Sequence, residues 1–411
     1  MSGGSVLQPL RRRDFRRLWI AQTISIVGDK INQVGLIIMV GRLTGSIAQM
    51  GIVLAITFLP AALFGLIAGP LVDRWDRRRT MVTADLLRAA LVAGIAVVAV
   101  VHAPSWLVIA LAYVLAFASS TVSLFFEPSR MALVPSILTE DELLAANALD
   151  STTQSVSELL GIGFGGALVA TIGYGSAFWI DAATFLVSAA FVATVSHRAI
   201  ERVLPKLRVS VVWDDLKYGL ERIRRDGVLR GVTITYSAIA LGAGAVMTLT
   251  LLLALNVYTT VGLSDALRLT IEEIATTAGL LVGSMAIGMA SITGSGRKYL
   301  RGIVTLGLLL MVFLVVPNIW VASLVFFAVG WANVYLNVPM VTLLQIHTEE
   351  ETRGRVFAVR STLTRVAAVV GLVGGGVAAQ VYGVVPMVVA LGVFFAAIGG
   401  LGFAMPRLRN A

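Results

Sequence analysis

Residues 47–79 read IAQMGIVLAITFLPAALFGLIAGPLVDRWDRRR. From Ile47 to Val72 there is no charged residue; Asp73, Arg74, Asp76, Arg77, Arg78 and Arg79 then follow together. A helix rises about 1.5 Å per residue, so such a run crosses a hydrocarbon core of about 30 Å. The basic cluster at its end marks the side on which that end is retained. The same alternation recurs along the chain. Its 411 residues are 57% hydrophobic and 13% charged, with mean hydropathy +0.89. A soluble domain carries about twice that charged fraction, so the solvent for most of this chain is lipid.

Working outward, spans are expected near 17–42, 46–71, 80–102, 104–127, 145–171 and 174–196. Six more are expected near 229–256, 270–292, 299–316, 318–345, 357–380 and 383–405. The fold class is therefore an all-α membrane protein: twelve transmembrane helices in two six-helix halves. Residues 1–196 form the first bundle, 197–228 a cytoplasmic linker, and 229–411 the second bundle. If the N-terminus is inside, about 27 of the 32 Lys and Arg fall in inward segments or adjoining helix ends. Only Arg42 and Arg268 fall outside, with Lys30, Arg88 and Arg365 inside spans. Both termini are expected in the cytoplasm. In the linker, Val211, Val212, Leu216, Leu220 and Ile223 recur at helical spacing among charges, which predicts an amphipathic helix on the inner surface.

The formal charge of +9 sits in these flanking clusters, so it implies no nucleic-acid partner. With 0 cysteines and 3 histidines, disulfides, thiol catalysis and zinc knuckles are excluded. His102, His197 and His347 lie near different span ends, and no Walker loop is present. An enzyme is not expected, nor a metal or cofactor. The opening MSGGSVLQPLRRRDFRRLW lacks a cleavage site after an apolar core and reads as a cytoplasmic lead-in.

The halves echo each other. Pro128, then Leu138-Thr139-Glu140-Asp141-Glu142, then Gly161 parallels Pro339, then His347-Thr348-Glu349-Glu350-Glu351, then Gly371. Two such halves read as a duplicated transporter with its site near the membrane midplane.

The segment Gly69-Pro-Leu-Val-Asp73-Arg74-Trp-Asp76-Arg77-Arg78-Arg79 resembles the loop signature of the major facilitator superfamily, with Asp76 where the general signature has a second Gly. Further matches are Phe15-Arg16-Arg17-Leu18-Trp19, Gly28-Asp29, Ala84-Asp85-Leu-Leu-Arg88-Ala89, Pro128-Ser-Arg130, Glu142-Leu-Leu-Ala-Ala-Asn147, and Arg353-Gly354-Arg355-Val356-Phe357. Together they resemble the macrolide-efflux and enterobactin-exporter branch of drug:proton antiporters over nearly the whole chain. That resemblance implies the major facilitator fold in a bacterial inner membrane, working as a monomer. It also implies a gating role for Gly69, Asp73, Arg74, Arg77 and Arg78, set against a reading in which the later arginines only anchor topology. In span five, Gly161, Gly163, Gly165 and Gly166 resemble the glycine motif of proton-driven exporters, with Ile162 in place of its Pro. Glycines four apart also make a flat face for tight helix contact, with Gly161, Gly165 and Gly166 as its members.

Charges inside the bilayer cost about 2.5–3.5 kcal/mol on insertion scales and are seldom idle. Asp29 lies near mid-depth of span one, and Asn32 and Gln33 share its face. Glu158 lies in span five below Ser151, Gln154 and Ser155, and Asp181 lies nearer the outer end of span six. Desolvation penalises a charged carboxylate, so each can take up and release a proton. Asp29, Glu158 and Asp181 are the proton-coupling candidates; the other reading makes them buried ion pairs such as Asp29–Lys30 or Glu158–Arg365. Substrate contacts are expected from Asn32, Gln33, Gln154, Tyr236, Asn333, Asn337 and Arg365. Asp85 and Arg88 read as a structural pair, and Glu272 and Glu273 as solvated charges at the outer entrance of their span.

The leading function is a proton-coupled exporter of an amphipathic molecule such as a drug, macrolide or siderophore. Movement of a lysophospholipid by the same fold is the second reading, and a non-transporting sensor the third. If Asp73 is part of a gate, Asp73→Ala slows turnover in a transport assay more than it weakens ligand binding. Unchanged turnover with reduced expression would mark a folding role instead.

Overall fold

The computed structural model describes residues 8–72, 75–101, 103–196, 209–253, 265–288, 295–313 and 318–411. Hydrocarbon offers backbone groups no partners, so each segment must bond to itself. Accordingly no strand occurs among the described residues. After a short 3-10 turn (Gln8–Arg11) come α1 (Arg13–Thr44), α2 (Ile47–Val72), α3 (Arg77–Val100), α4 (Ser105–Ile137), α5 (Glu140–Ile172) and α6 (Tyr174–Ala193). Then follow α7 (Val209–Arg225), α8 (Gly227–Leu252), α9 (Asp265–Gly288), α10 (Ser295–Val312), α11 (Ile319–Ile346), α12 (Glu350–Tyr382), α13 (Val384–Phe403) and α14 (Pro406–Arg409). Nine of these are long and apolar enough to cross a membrane among the described residues. Helices α5, α9 and α10 overlap the positions expected for spans five, eight and nine.

Helix contacts divide the chain into a first unit, residues 1–45 and 56–207, and a second, residues 46–55 and 208–411. In the first, α1 packs on α5 and α6, and α3 on α4 and α6. In the second, α8 packs on α12 and α13, and α10 on α11 and α13. The same pairing scheme thus occurs twice, as the sequence echo leads one to expect. Gly161 of α5 lies on α1, where a Cβ would come within 2.9 Å of the Val27 carbonyl. Its counterpart Gly371 of α12 sits against the Leu241 carbonyl of α8 with no room for a Cβ. The one-residue connectors α5–α6 and α12–α13 are Gly173 (φ 84°) and Gly383 (φ 89°), in conformations side-chain-bearing residues rarely adopt.

Helix α4 was expected to end before Pro128 but continues to Ile137 with Pro128 and Pro135 inside it. A proline loses one backbone bond, and a membrane helix tolerates this where neighbours satisfy the freed groups. Arg130 grips this region, bonding Glu127 at 2.6 Å and Asp150 of α5 at 2.9 Å. Helix α7 forms as its periodicity predicts. Ile223 is buried, Leu216 and Leu220 pack on the same core, and Arg355 of α12 pairs with Asp215 at 2.9 Å.

The loop that carries the superfamily signature is held by its arginines. Arg77 donates to the Ala132 carbonyl of α4 at 2.6 Å, and Arg78 to the Val195 carbonyl beyond α6 at 3.1 Å. Asp76 caps α3 by accepting from the Arg79 amide at 2.7 Å, which gives the departure from glycine at this position a physical reason. Asp73 and Arg74 lie outside the described residues, as do the surroundings of Gly69 in α2.

Helix α5 begins with a capping box of Thr139 and Glu142. The Glu142 carboxylate accepts from the Thr139 amide at 3.0 Å and from Arg12 Nε at 3.0 Å, tying the N-terminal turn to α5. The Thr139 amide, followed by Arg12, holds the Glu142 carboxyl below the usual carboxylate range. A depressed folded-state value means its stabilisation is complete above the unfolded value of about 4.3 and fades as pH falls through the lower folded value. In detergent, the melting temperature of the wild type should exceed that of Glu142→Gln at neutral pH. The gap should close on acidification below about pH 4. A gap that persists unchanged at low pH would mean the charge is not what stabilises the cap.

Candidate functional site

The first unit contains an open cavity of about 450 Å³. Asp29, Asn32 and Gln33 reach it from α1, Arg88 from α3, Ser119 and Ser120 from α4, and Gln154 from α5. The shared face of Asp29, Asn32 and Gln33 follows from their three- and four-residue spacing, and the structure brings Gln154 to the same wall. Lys30 also lines the cavity, with its stem against Gly161.

The charge arrangement differs from expectation. Arg88 does not pair with Asp85, its neighbour on α3, but donates through Nη2 to Asp29 Oδ1 of α1 at 2.5 Å. Asp85 instead accepts from Ser188 of α6 at 2.6 Å and is fully buried. The guanidinium of Arg88 stacks on Phe185 of α6, 4.0 Å from the ring centroid. Asp181, Phe185 and Ser188 recur at i, i+4 and i+7 on α6, so one face meets α1 and α3 together. Asp181, in the first half of α6, is fully buried. A Cβ on Gly28 would lie 2.6 Å from its Oδ1, so glycine beside Asp29 lets α6 come this close.

Three carboxylates therefore surround one guanidinium, and only Asp29, with 36% of its side chain exposed, opens to the cavity. Asp85 Oδ1, Asp181 Oδ2 and Arg88 Nε are buried without a hydrogen-bond partner among the described residues. Unsatisfied groups of opposite sign in one cluster allow a second arrangement, in which Arg88 turns from Asp29 towards the inner acids. The Glu158 side chain, a proton-coupling candidate with a Glu158–Arg365 ion pair as the alternative reading, lies outside the described residues. Gly165 meets Ile31 and Val34 of α1, and Gly166 is buried beside it.

The second unit holds a polar cluster of different chemistry. The Tyr236 hydroxyl of α8 donates to Asn337 Oδ1 at 2.8 Å, and Asn337 Nδ2 donates to Asn333 Oδ1 at 2.7 Å. Arg360 of α12 lies over the Tyr236 ring, 5.0 Å from its centroid. Arg365, expected in this cluster, is on an exposed face of α12. Five positions turn a helix by about 140° from Arg360, so the two arginines cannot share a face. The sequence singles out nothing at Arg360, three residues into the span expected at 357–380, because the ring it meets is on α8. Glu272 is likewise not a solvated entrance charge but 5% exposed, because α9 packs along α11.

Comparison with known proteins places this architecture. The model of a family described as transmembrane secretion effector matches residues 4–411. Macrolide efflux protein A of Streptococcus pyogenes is 25% identical over 369 residues, covering 87% of each chain. The multidrug efflux pump Tap of Mycobacterium tuberculosis is 26% identical over 401 residues, covering 95% of this chain and 93% of that one. Among solved structures, a nucleoside transporter, NupG, matches with a TM-score of 0.74 at 12% identity, over 95% of this chain and 99% of that chain. A bacterial homologue of the lysosomal transporter Spinster matches with a TM-score of 0.70 at 14% identity, over 99% and 98%.

Proposed function

We propose that this chain, which belongs to the transmembrane secretion effector family of major facilitator transporters, exports an amphipathic small molecule in exchange for protons. The observation that carries the reading is the Asp29–Arg88 pair on the wall of a 450 Å³ cavity. Members of the family are transporters, not enzymes, and the efflux proteins among its relatives favour export of a drug-like cargo over lipid movement.

The cycle follows from the charges. With Asp29 ionised, Arg88 is held to the cavity wall. A proton on Asp29 removes the anion, and Arg88 is drawn to the buried Asp181 and Asp85 between α1, α3 and α6. Each arrangement favours a different seating of those helices, and the difference supplies a bias for alternating access. Asp181 is the inner partner in this exchange, and Glu158 a second carrier on α5. Asn32, Gln33 and Gln154 offer neutral contacts to cargo from the first unit, and Tyr236, Asn333 and Asn337 from the second. Twelve spans with both ends in the cytoplasm of a bacterial inner membrane, a monomeric state, and a gate at Gly69, Asp73, Arg74, Arg77 and Arg78 complete the reading.

Everted vesicles with an imposed proton gradient and a pH-sensitive dye test it, with macrolides, dyes, siderophores and lysolipids as the panel. Wild type should release protons on adding at least one compound class. Asp29→Asn should lose at least about tenfold in rate, the effect of roughly 1.4 kcal/mol, while ligand binding stays measurable. Normal uphill transport by Asp29→Asn would sink the assignment, and a response confined to lysolipids that ignores the gradient would favour lipid movement.

A further inference from the structure

Arg360 of the second unit has two guanidinium nitrogens left unsatisfied among the described residues. The buried arginines of the first unit have carboxylates: Arg88 pairs with Asp29, and Arg130 with Glu127 and Asp150. Among the described residues no carboxylate pairs with Arg360. Its Nε and Nη1 are buried without hydrogen-bond partners among the described residues, and the rings of Tyr236 and Phe357 lie 5.0 and 5.9 Å from its guanidinium carbon. A cation left in an apolar bundle without an anion is costly, and such a group is retained where it meets a ligand.

The surroundings aim it. Tyr236 is fixed by its bond to Asn337, and Asn337 by its bond to Asn333, so the ring under Arg360 cannot swing freely. The ring restrains the guanidinium plane while its quadrupole partly offsets the charge. What remains unfilled are the Nε–H and Nη1–H donors, which a carboxylate can take by charge-assisted hydrogen bonds. Neutral amides and a phenol beside it add polar contacts but no competing anion.

We infer that Arg360 recognises a carboxylate on the exported molecule, with Tyr236 as its positioning residue. The inference rests on the export reading and narrows it, from amphipathic compounds in general to those bearing an oxyanion. The first unit supplies the proton-bearing acids, and the second supplies the cation that reads the cargo.

The test uses the full-length chain in detergent with three matched fluorescent amphiphiles: dansylaminoundecanoate, its carboxamide, and the corresponding alkyl phosphate. Wild type should bind the carboxylate about tenfold more tightly than the carboxamide, as a charge-assisted pair implies. Arg360→Gln should bring that ratio to about one. Arg360→Lys keeps the charge but not the Nε–H and Nη1–H donors, and should lower the ratio about threefold while retaining a preference. Tyr236→Phe, which frees the ring from Asn337, should lower it too. If Arg360→Gln does not fold, the Arg360→Lys ratio decides the matter.

Three results would overturn the inference: a wild type with no carboxylate preference, a preference that survives Arg360→Gln, or one unchanged in Arg360→Lys. A phosphate bound more tightly than the carboxylate would overturn the carboxylate assignment. The vesicle assay separates this from the export reading. Proton exchange with carboxylate and carboxamide alike would defeat the Arg360 inference alone, whereas a charge preference in binding without exchange would defeat proton coupling alone.

Discussion

Hydrocarbon satisfies neither peptide groups nor charges, and most of this structure is a response to that fact. The peptide groups are satisfied within helices. The charges are satisfied across them: Arg130 joins α4 to α5, Arg88 joins α3 to α1, and Asp85 accepts from Ser188 of α6. Arg77 and Arg78 hold helix ends by their carbonyls. Against this background the exceptions stand out. Unsatisfied atoms on Asp85, Asp181 and Arg88 fall in one cluster of the first unit, and those of Arg360 in the polar cluster of the second. Further such atoms lie on Arg268 and Glu272 of α9, and buried charged groups with unsatisfied atoms are the expected mark of groups that change partners or meet a ligand.

The two units share a scheme of helix pairing but not a chemistry. The shared part rests on backbone contact, with Gly161 against α1 and Gly371 against α8, and on glycine connectors at 173 and 383. Contacts of that kind demand small residues at a few positions and leave the polar positions free. One copy accordingly carries acids around an arginine, and the other carries neutral amides and a phenol beside an arginine without an acid.

Helical hydropathy, the basic clusters and the echo between halves were all legible in the sequence, because they depend on solvent and on local periodicity. The common face of Asp29, Asn32 and Gln33 was legible for the same reason: residues three and four apart on a helix must lie together. The amphipathic helix at Val209–Arg225 followed from spacing alone. The superfamily loop was readable as a pattern, while the capping role of Asp76 in it was not.

Tertiary structure alone decided which charges meet. Asp85 and Arg88 are one turn apart, yet Ser188 and Asp29 are their partners, because α6 packs against both α3 and α1. Arg360 faces Tyr236 while Arg365 is exposed, and Glu272 is buried because α11 lies over α9. The sequence by itself determined that this chain lives in a membrane as two related helical halves, and where along each helix its polar residues sit. Depth and face are set by the turn of one helix. The identity of a partner is set by a neighbouring helix far away in sequence, and that choice appears only when the bundle is assembled.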